Sequence, residues 1–253
     1  MKIDNDINVN VRPDGLKQED VDYLSKQHVH FSIPLLDGKV SDAFLVAMMK
    51  FVVISKDLGI QFSIDTMKYD ALITRVRNNL VARFMTNPHA THLMFLDSDM
   101  IFDAEYIVRL LIARKDIVGA VYPMKTLPPT YDFDPLENPD GETDLISVSE
   151  LSTGFMMIEK GTIKKMMDSH PELKYIDKEM VKEAMPYTYA LFDTSIDVMN
   201  NYLAEYQTFS RRWTDLGGKL YADVGLKIDH IGQVAFPSDP NQVITMLNEK
   251  LNK

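Results

Sequence analysis

Residues 91–100 read THLMFLDSDM, an apolar run that ends in two carboxylates. The run predicts a buried β-strand. Asp97 and Asp99 are two residues apart, so both point to the same side of an extended backbone and can meet one cation. Ligands of α/β sheets collect at the carboxyl ends of strands, and Mg²⁺ or Mn²⁺ is commonly held there by one or two carboxylates. The stretch indicates an α/β fold with a divalent-metal site. Alternatively, the two aspartates shape a turn or cap the next helix.

The composition excludes several classes of protein. The chain has 253 residues, 45% of them hydrophobic, which suits one large α/β domain or two small ones. It has no cysteine, which excludes disulfides, thiolate zinc sites and a cysteine nucleophile. The first residues lack a signal-peptide pattern, and the most apolar window, 43–54, is too short to cross a bilayer. We therefore expect a soluble, cytoplasmic protein with no membrane span.

Apolar runs and segments of helical period alternate through the first half, which is typical of βαβ units. The predicted strands are 28–33, 60–65, 91–97, 116–122, 145–151 and 154–159. The predicted helices are 41–56, 70–86, 103–114, 162–169, 203–214 and 239–252, with Ser41 or Asp42, Asp70 and Asp103 as N-caps of the first three. The proline-rich residues 123–144 predict a long loop, and residues 171–200 predict a lid or an insertion on the acceptor side.

Seven short segments follow one another in a recognisable order. They are Ser32-Ile33-Pro34, Arg77-Asn78-Asn79, Phe95-Leu96-Asp97-Ser98-Asp99, Gly119-Ala120-Val121-Tyr122-Pro123, Ser152-Thr153-Gly154-Phe155-Met156, Glu205 ahead of Phe209-Ser210-Arg211-Arg212, and His230-Ile231-Gly232. Their order over residues 28–232 resembles the GT-A glycosyltransferases, particularly the small single-domain type of phages and large viruses. The resemblance implies an α/β fold with a mixed, mostly parallel, Rossmann-like sheet flanked by helices.

The same resemblance implies one domain over residues 26–235, between an N-terminal extension, 1–25, and a C-terminal tail helix, 236–253. If the chain is viral, it would act in the host cytoplasm. The implied activity is transfer of a sugar from a nucleoside diphosphate sugar, with a UDP-sugar as the expected donor, to an acceptor hydroxyl.

A divalent metal supports such a reaction because it neutralises the charge that builds on the departing diphosphate. The resemblance implies Asp97, Asp99 and His230 as the metal site. Asp99 would be the direct ligand, and Asp97 would reach the ribose, or the metal through water. A neutral imidazole suits Mn²⁺ better than Mg²⁺, so we expect Mn²⁺ (or Mg²⁺) as the cofactor.

The resemblance also assigns residues to the two substrates. The expected donor-binding residues are Ser32, Pro34, Arg77, Asn78, Asp97, Ser98 and Lys227. Those expected on the acceptor or sugar side are Tyr122, Thr153 and Gly154. Arg77 and Lys227 have an ordinary alternative, since charged side chains on helices and loops are usually solvated.

The expected catalytic base departs from the family pattern. Inverting enzymes of this fold place two acids ahead of the Phe-x-Arg-Arg helix, and this chain has Glu205 followed by Tyr206. Glu205 is eligible as the base, whereas a neutral tyrosine, with a reference pKa near 10, is a poor substitute. The alternatives are a retaining reaction without this base, impaired catalysis, or a Glu205 that merely favours the first turn of a helix.

Two other functions are also compatible with the sequence. An Asp-x-Asp after an apolar strand also occurs in haloacid-dehalogenase-like phosphatases, where the first aspartate is the nucleophile. A catalytically idle nucleotide-sugar-binding protein would explain Tyr206. The net charge of −10 favours a glycan or protein acceptor over DNA, although a modified DNA base stays possible. The sequence specifies no oligomeric state.

Overall fold

A central β-sheet organises the molecule, and a computed structural model describes residues 15–137, 144–232 and 235–251. The strands are β1 His28–Leu35, β2 Gln61–Lys68, β3 His92–Leu96, β4 Met100–Ile101, β5 Ile117–Ala120, β6 Pro135–Glu137, β7 Leu145–Val148, β8 Phe155–Glu159, β9 Ser195–Ile196, β10 Tyr202–Leu203, β11 Leu220–Asp223, β12 Asp229–Ile231 and β13 Ala235–Phe236. The α-helices are α1 Gln18–Leu24, α2 Asp42–Leu58, α3 Ile73–Thr86, α4 Glu105–Ile112, α5 Lys160–Ser169, α6 Glu205–Asp215 and α7 Pro240–Leu251.

Eight strands form the main sheet in the order β2-β1-β3-β8-β5-β11-β7-β6. Strand β1 pairs in parallel with β2 and β3, and β5 pairs in parallel with β11. Strand β8 runs antiparallel between β3 and β5, and β7 runs antiparallel between β11 and β6. All strands of this sheet except β7 and β8 therefore point the same way. This confirms the predicted α/β class with a mixed, mostly parallel, Rossmann-like sheet flanked by helices.

Strand β3 is buried along its whole length because helices cover both faces of the sheet. Met94 and Leu96 pack into the core on the side of α2 and α4. Leu93 and Phe95 point to the opposite core, which includes residues of α3, α5 and α6. The strand is thus fixed from both sides, and it delivers the following carboxylates from a rigid base.

The hydrogen bonds at the helix ends confirm one predicted N-cap and show that two others were wrong. The Ser41 hydroxyl accepts a hydrogen bond from Phe44 N at 3.0 Å and caps α2 as predicted. Asp70 does not cap α3, because its carboxylate accepts from Leu72 N and is paired with Arg75; the N-cap is Leu72. Helix α4 has Ala104 as its N-cap, and the carbonyl of the preceding Asp103 only closes a turn.

The long segments between the main elements contain short regular pieces. The predicted loop 123–144 includes β6, and residues 138–143 lie outside the described part. Residues 171–200 hold two 3₁₀ turns, Pro171–Leu173 and Met185–Tyr187, and β9, which pairs with β10. Strands β4, β12 and β13 form a separate small sheet.

The two ends of the described chain are also helical. Residues 1–14 of the expected N-terminal extension and the last two residues of the expected tail lie outside the described part. Helix α1 buries Leu24 in the core, and α7 buries Val243 and Leu247. Within the described ranges, none of the helices combines the length and the apolar character that crossing a membrane requires.

Two buried histidines make the stability depend on pH. His30 and His92 lie in β1 and β3, and burial lowers the pKa of each from 6.5 to about 4. Between these values the unfolded chain binds more protons than the folded one, so the two imidazoles contribute full stability above about pH 6.5. As the pH falls towards 4, each should cost up to roughly 3 kcal/mol.

We predict that the free energy of unfolding, measured in urea, falls between about pH 7.5 and pH 5, and that His92→Gln makes this fall shallower. The exposed His89 supplies the control; His89→Gln removes only its charge interaction with His28, so it should change the pH dependence much less than His92→Gln does. An equal pH dependence in His92→Gln and the parent protein would contradict the assignment.

Candidate active site

The candidate site is a cleft at the carboxyl ends of β1 and β3, with a volume of about 210 Å³. The two strands are parallel neighbours, so the segments that leave them lie side by side. Five of the residues predicted from sequence line the cleft, and the full lining is Pro34, Leu36, Asp70, Ala71, Ile73, Arg77, Asp97, Ser98 and Asp99.

The two aspartates lie in a tight turn between β3 and β4 that main-chain hydrogen bonds fix. Asp97 N donates to Gly154 O at 2.9 Å, and Met100 N donates back to Asp97 O at 3.3 Å. On the other side, Ile231 N donates to Asp99 O at 2.7 Å. Asp97 and Asp99 therefore shape a turn, as one alternative expected, and neither of them caps α4.

A buried arginine joins two carboxylates that are far apart in sequence. Arg77, on α3, is only 3% exposed, and its Nη2 lies 3.1 Å from both Oδ1 and Oδ2 of Asp97. Its Nε lies 3.5 Å from Oε1 of Glu205, at the start of α6. The guanidinium carbon also lies 5.1 Å from the centre of the Phe95 ring. Arg77 is therefore not a solvated surface charge, and it brings Asp97 and Glu205 to one place.

Asp99 faces a histidine and a lysine. The Oδ2 atom lies 3.5 Å from His230 Nε2 and contacts the Lys125 ammonium. Partial burial raises the pKa of Asp99, but hydrogen bonding to His230 and Lys125 lowers it more, to about 2. The other imidazole nitrogen, Nδ1, lies 2.9 Å from Pro123 O, a distance at which its N–H donates to the carbonyl. The His230 ring is thereby oriented with Nε2 towards Asp99.

Two residues predicted to bind the donor are buried inside the protein, away from the cleft. Ser32 is fully buried, and its hydroxyl has no hydrogen-bond partner in the described part of the chain. Asn78 is also buried; its amide donates to Phe192 O and its carbonyl accepts from Phe192 N, both at 2.8 Å. Neither side chain lines the cleft, and Asn78 anchors the segment before β9 to α3.

Lys227 is exposed, and the register of β12 carries it away from the aspartates. His230 pairs with Met100, and Asp229 pairs with Ile101, in an antiparallel arrangement. Residues before His230 in β12 therefore lie opposite residues further along the chain from Asp99, so Lys227 lies further from Asp99 than His230 does.

Tyr122 and Gly154, two of the three residues expected on the acceptor or sugar side, are in contact next to the aspartate turn. The Tyr122 hydroxyl accepts a hydrogen bond from Gly154 N at 2.9 Å, and its ring packs edge-on against His230. Thr153 is buried. A Cβ at position 154 would approach Tyr122 Oη to 2.6 Å, so the close contact requires glycine.

Tyr206 takes part in an acidic group next to Glu205. Its hydroxyl donates to Asp132 Oδ2 at 2.8 Å, and burial together with this hydrogen bond raises the tyrosine pKa. The neighbouring Gln207 donates to both carboxylate oxygens of Glu150, whose pKa burial also raises. Tyr206 is therefore held in its neutral form and cannot serve as a base.

The donor atoms can be compared with what a metal needs. No group of three or more histidine or acidic side chains in the described ranges is arranged to hold an ion. Asp99 and His230 face each other, whereas both oxygens of Asp97 are turned to Arg77. Two protein ligands, completed by water and phosphate oxygens, are a normal arrangement for Mg²⁺ or Mn²⁺.

Sequence reasoning missed Lys125, the side chain that contacts Asp99 most closely. It lies within the proline-rich segment that was predicted as a long loop, and its place depends on how this segment folds back. Met124 N donates to Thr130 O, and Pro123 bridges to Tyr131. No spacing in the sequence signals this contact.

Several solved structures are distantly similar to the chain. No protein-family model and no curated protein matches the chain. A197 from STIV aligns with 17% identity over 81% of this chain and 86% of that one, at a TM-score of 0.46. UDP-glucose pyrophosphorylase complexed with UDP-glucose aligns at 8% identity over 86% and 80%, with a TM-score of 0.37. The synthase of 4-diphosphocytidyl-2C-methyl-D-erythritol from Anaerococcus prevotii aligns with 10% identity over 64% of this chain and 82% of that one, at a TM-score of 0.35. These similarities are distant, and the case for a function rests on the cleft itself.

Proposed function

We propose that the chain is a glycosyltransferase of the GT-A type that moves a sugar from a nucleoside diphosphate sugar to an acceptor hydroxyl. The observation that carries the proposal is the meeting of Asp97, Arg77 and Glu205 beside Asp99 and His230 at the carboxyl end of β3. Segments spread over more than half of the chain supply these groups. Mutually paired ionisable groups that converge beside a cleft, one of them an Asp99 carboxyl with a lowered pKa, are a usual mark of an active site.

The donor would bind along the cleft with its diphosphate near Asp99. The Pro34, Leu36 and Ile73 side of the cleft is apolar, which suits the face of a nucleobase. Arg77 Nη1 has no hydrogen-bond partner in the described ranges, so one donor of a buried guanidinium is left for a ligand oxygen. Arg77 is therefore the basic group that we assign to the donor side.

Asp99 and His230 fit a divalent cation. When the His230 ring is neutral with its proton on Nδ1, the hydrogen bond from Nε2 to Asp99 is lost, and the Nε2 lone pair faces the carboxylate at 3.5 Å, a distance at which two acceptors repel each other. Protonation of the ring, or a bound divalent cation held by these two residues, would remove the repulsion. The hydrogen bond from Nδ1 to Pro123 O orients the ring as outer contacts of metal-binding histidines do. Bound Mn²⁺ or Mg²⁺ would supply Lewis-acid stabilisation of the diphosphate charge.

Glu205 is the base in this proposal. The acceptor oxygen forms a bond to the anomeric carbon while the bond from that carbon to the diphosphate oxygen breaks. The hydroxyl proton passes to the Glu205 carboxylate. Arg77 holds that carboxylate near Asp97, and the Glu205 side chain is 15% exposed, so it is in contact with solvent. The neutral Tyr206 hydroxyl donates to Asp132 and leaves the base role to Glu205.

The surroundings of Glu205 favour a glycan or protein acceptor. Asp132, Asp134 and Glu150 contribute negative charge around Tyr206. Such a surface repels the phosphates of DNA, whose binding needs several basic contacts.

A phosphatase of the haloacid-dehalogenase type would use Asp97 as its nucleophile, but both carboxylate oxygens of Asp97 lie against Arg77. Activity measurements on Glu205 variants distinguish a transferase from an idle binding protein.

We predict that a nucleoside diphosphate stabilises the fold only when Mn²⁺ or Mg²⁺ is present. At a ligand concentration a hundredfold above the dissociation constant the gain should be about 2.7 kcal/mol, measured by thermal shift across UDP-, GDP- and dTDP-sugars with metal or with chelator. Asp99→Ala should abolish the gain. The exposed Asp215 provides the control, because Asp215→Ala should keep it. An Asp99→Ala protein that binds the donor as well as the parent does would refute the metal site.

We further predict that Glu205→Gln keeps donor binding and lowers turnover by roughly 10²–10⁴-fold, the usual contribution of a positioned base. Turnover is followed as nucleoside diphosphate release, and NMR of the product gives the anomeric configuration, which should be inverted. The exposed Glu183 offers a control, and Glu183→Gln should be fully active. Full activity of Glu205→Gln with a retained anomer would remove Glu205 from the mechanism.

A further inference from the structure

Helix α2 buries one side in the core and leaves an apolar stripe on the other. The large apolar side chains on its outer side are Leu45, Val46, Met49, Val52 and Val53, which are 55%, 53%, 61%, 41% and 51% exposed, respectively. These five apolar residues outnumber the four charged residues that share the exposed surface of the helix. A contiguous apolar patch of this kind on a folded protein marks an interaction site more often than chance exposure. We call this stripe, with Asp42 and Lys56 at its two ends, the outer face of α2.

The outer face of α2 is nearly symmetric about Met49. Asp42 and Lys56 are each seven residues from Met49, one towards either end of the helix, and they lie about 21 Å apart along the axis. Leu45 and Val52 lie on one side of the Met49 line, and Val46 and Val53 lie on the other, since residues seven apart fall on nearly the same side of a helix. The structure shows no ion pair for Asp42 or Lys56 within the described ranges.

We propose that the outer face of α2 is the interface of a symmetric dimer in which the α2 helices of two copies pack antiparallel. A two-fold axis through Met49 sets Leu45 of one copy against Val52 of the other, and Val46 against Val53. The same axis places Asp42 of one copy opposite Lys56 of the other, twice. Such an interface is self-complementary in shape and charge, as a two-fold contact must be.

The pattern of charge is the reason for choosing a second copy as the occupant. A parallel arrangement would set Asp42 against Asp42 and Lys56 against Lys56, which like charges oppose. Only the antiparallel arrangement pairs opposite charges at both ends of the helix and also keeps the apolar residues in contact. Val40, two residues before α2 and 40% exposed, adds an apolar side chain next to one end of the helix.

The test is the molecular mass of the full chain in solution, measured by analytical ultracentrifugation over a range of concentrations. The parent protein should be a dimer. Met49→Glu places two carboxylates on the axis and should raise the dissociation constant by about 100-fold or more, since truncated or reversed central contacts dominate interface energies. Ile176→Glu, at an apolar residue outside α2 that is more exposed than Met49 (84% against 61%), should leave the dimer intact.

Charge reversal separates this arrangement from other ways of covering the stripe. Lys56→Asp alone should weaken the dimer, and the combination of Asp42→Lys with Lys56→Asp should restore it, with thermal unfolding showing that each variant is folded. A parent protein that stays monomeric at high concentration would overturn the proposal. So would a dimer that Met49→Glu leaves unchanged, a double variant that fails to recover, or a monomer that cosediments with phosphatidylcholine–phosphatidylglycerol vesicles through the same stripe.

Discussion

The burial of the Arg77 guanidinium is the constraint on which the candidate site depends. A charge withdrawn from water costs several kcal/mol unless opposite charges face it, and Asp97 and Glu205 are those charges. The contact joins α3, the turn after β3 and the first turn of α6. Because Arg77 can be buried only when all three segments are in place, the electrostatics that shape the cleft also hold its walls together. Loss of either carboxylate would leave the other elements around an incompletely compensated charge.

The sequence predicted best what depends on local pattern. Strand β3 and the paired aspartates follow from an apolar run and its period, and the β/α alternation that gives the sheet class has the same origin. The antiparallel insertion of β8 between β3 and β5 leaves no such trace, since an apolar strand has the same composition in either direction. Asp70 and Asp103 look like caps by residue type, but tertiary partners and turn geometry decide which residue occupies the N-cap.

Within the site, adjacent residues of one segment have different tasks that no spacing separates. Arg77 and Asn78 are neighbours on α3 and about 100° apart around its axis, so one meets Asp97 and the other meets the Phe192 backbone. Ser32 lies inside a strand buried on both faces, and Lys227 is displaced by the register of β12. The contact between Lys125 and Asp99 needs the path of an irregular loop, which composition does not encode.

Gly154 has a wider consequence for how the site is built. Its carbonyl accepts a hydrogen bond from Asp97 N, and its N–H donates one to the Tyr122 hydroxyl. Tyr122 and Met100 fill the space that a Cβ would occupy. Backbone atoms, and a residue that has no side chain, therefore set the spacing between three strand ends. Side chains outside the Arg77 group and Tyr122 can therefore change without moving these three strand ends, because main-chain contacts hold their spacing. Specificity at this edge of the sheet can diverge while the framework stays the same.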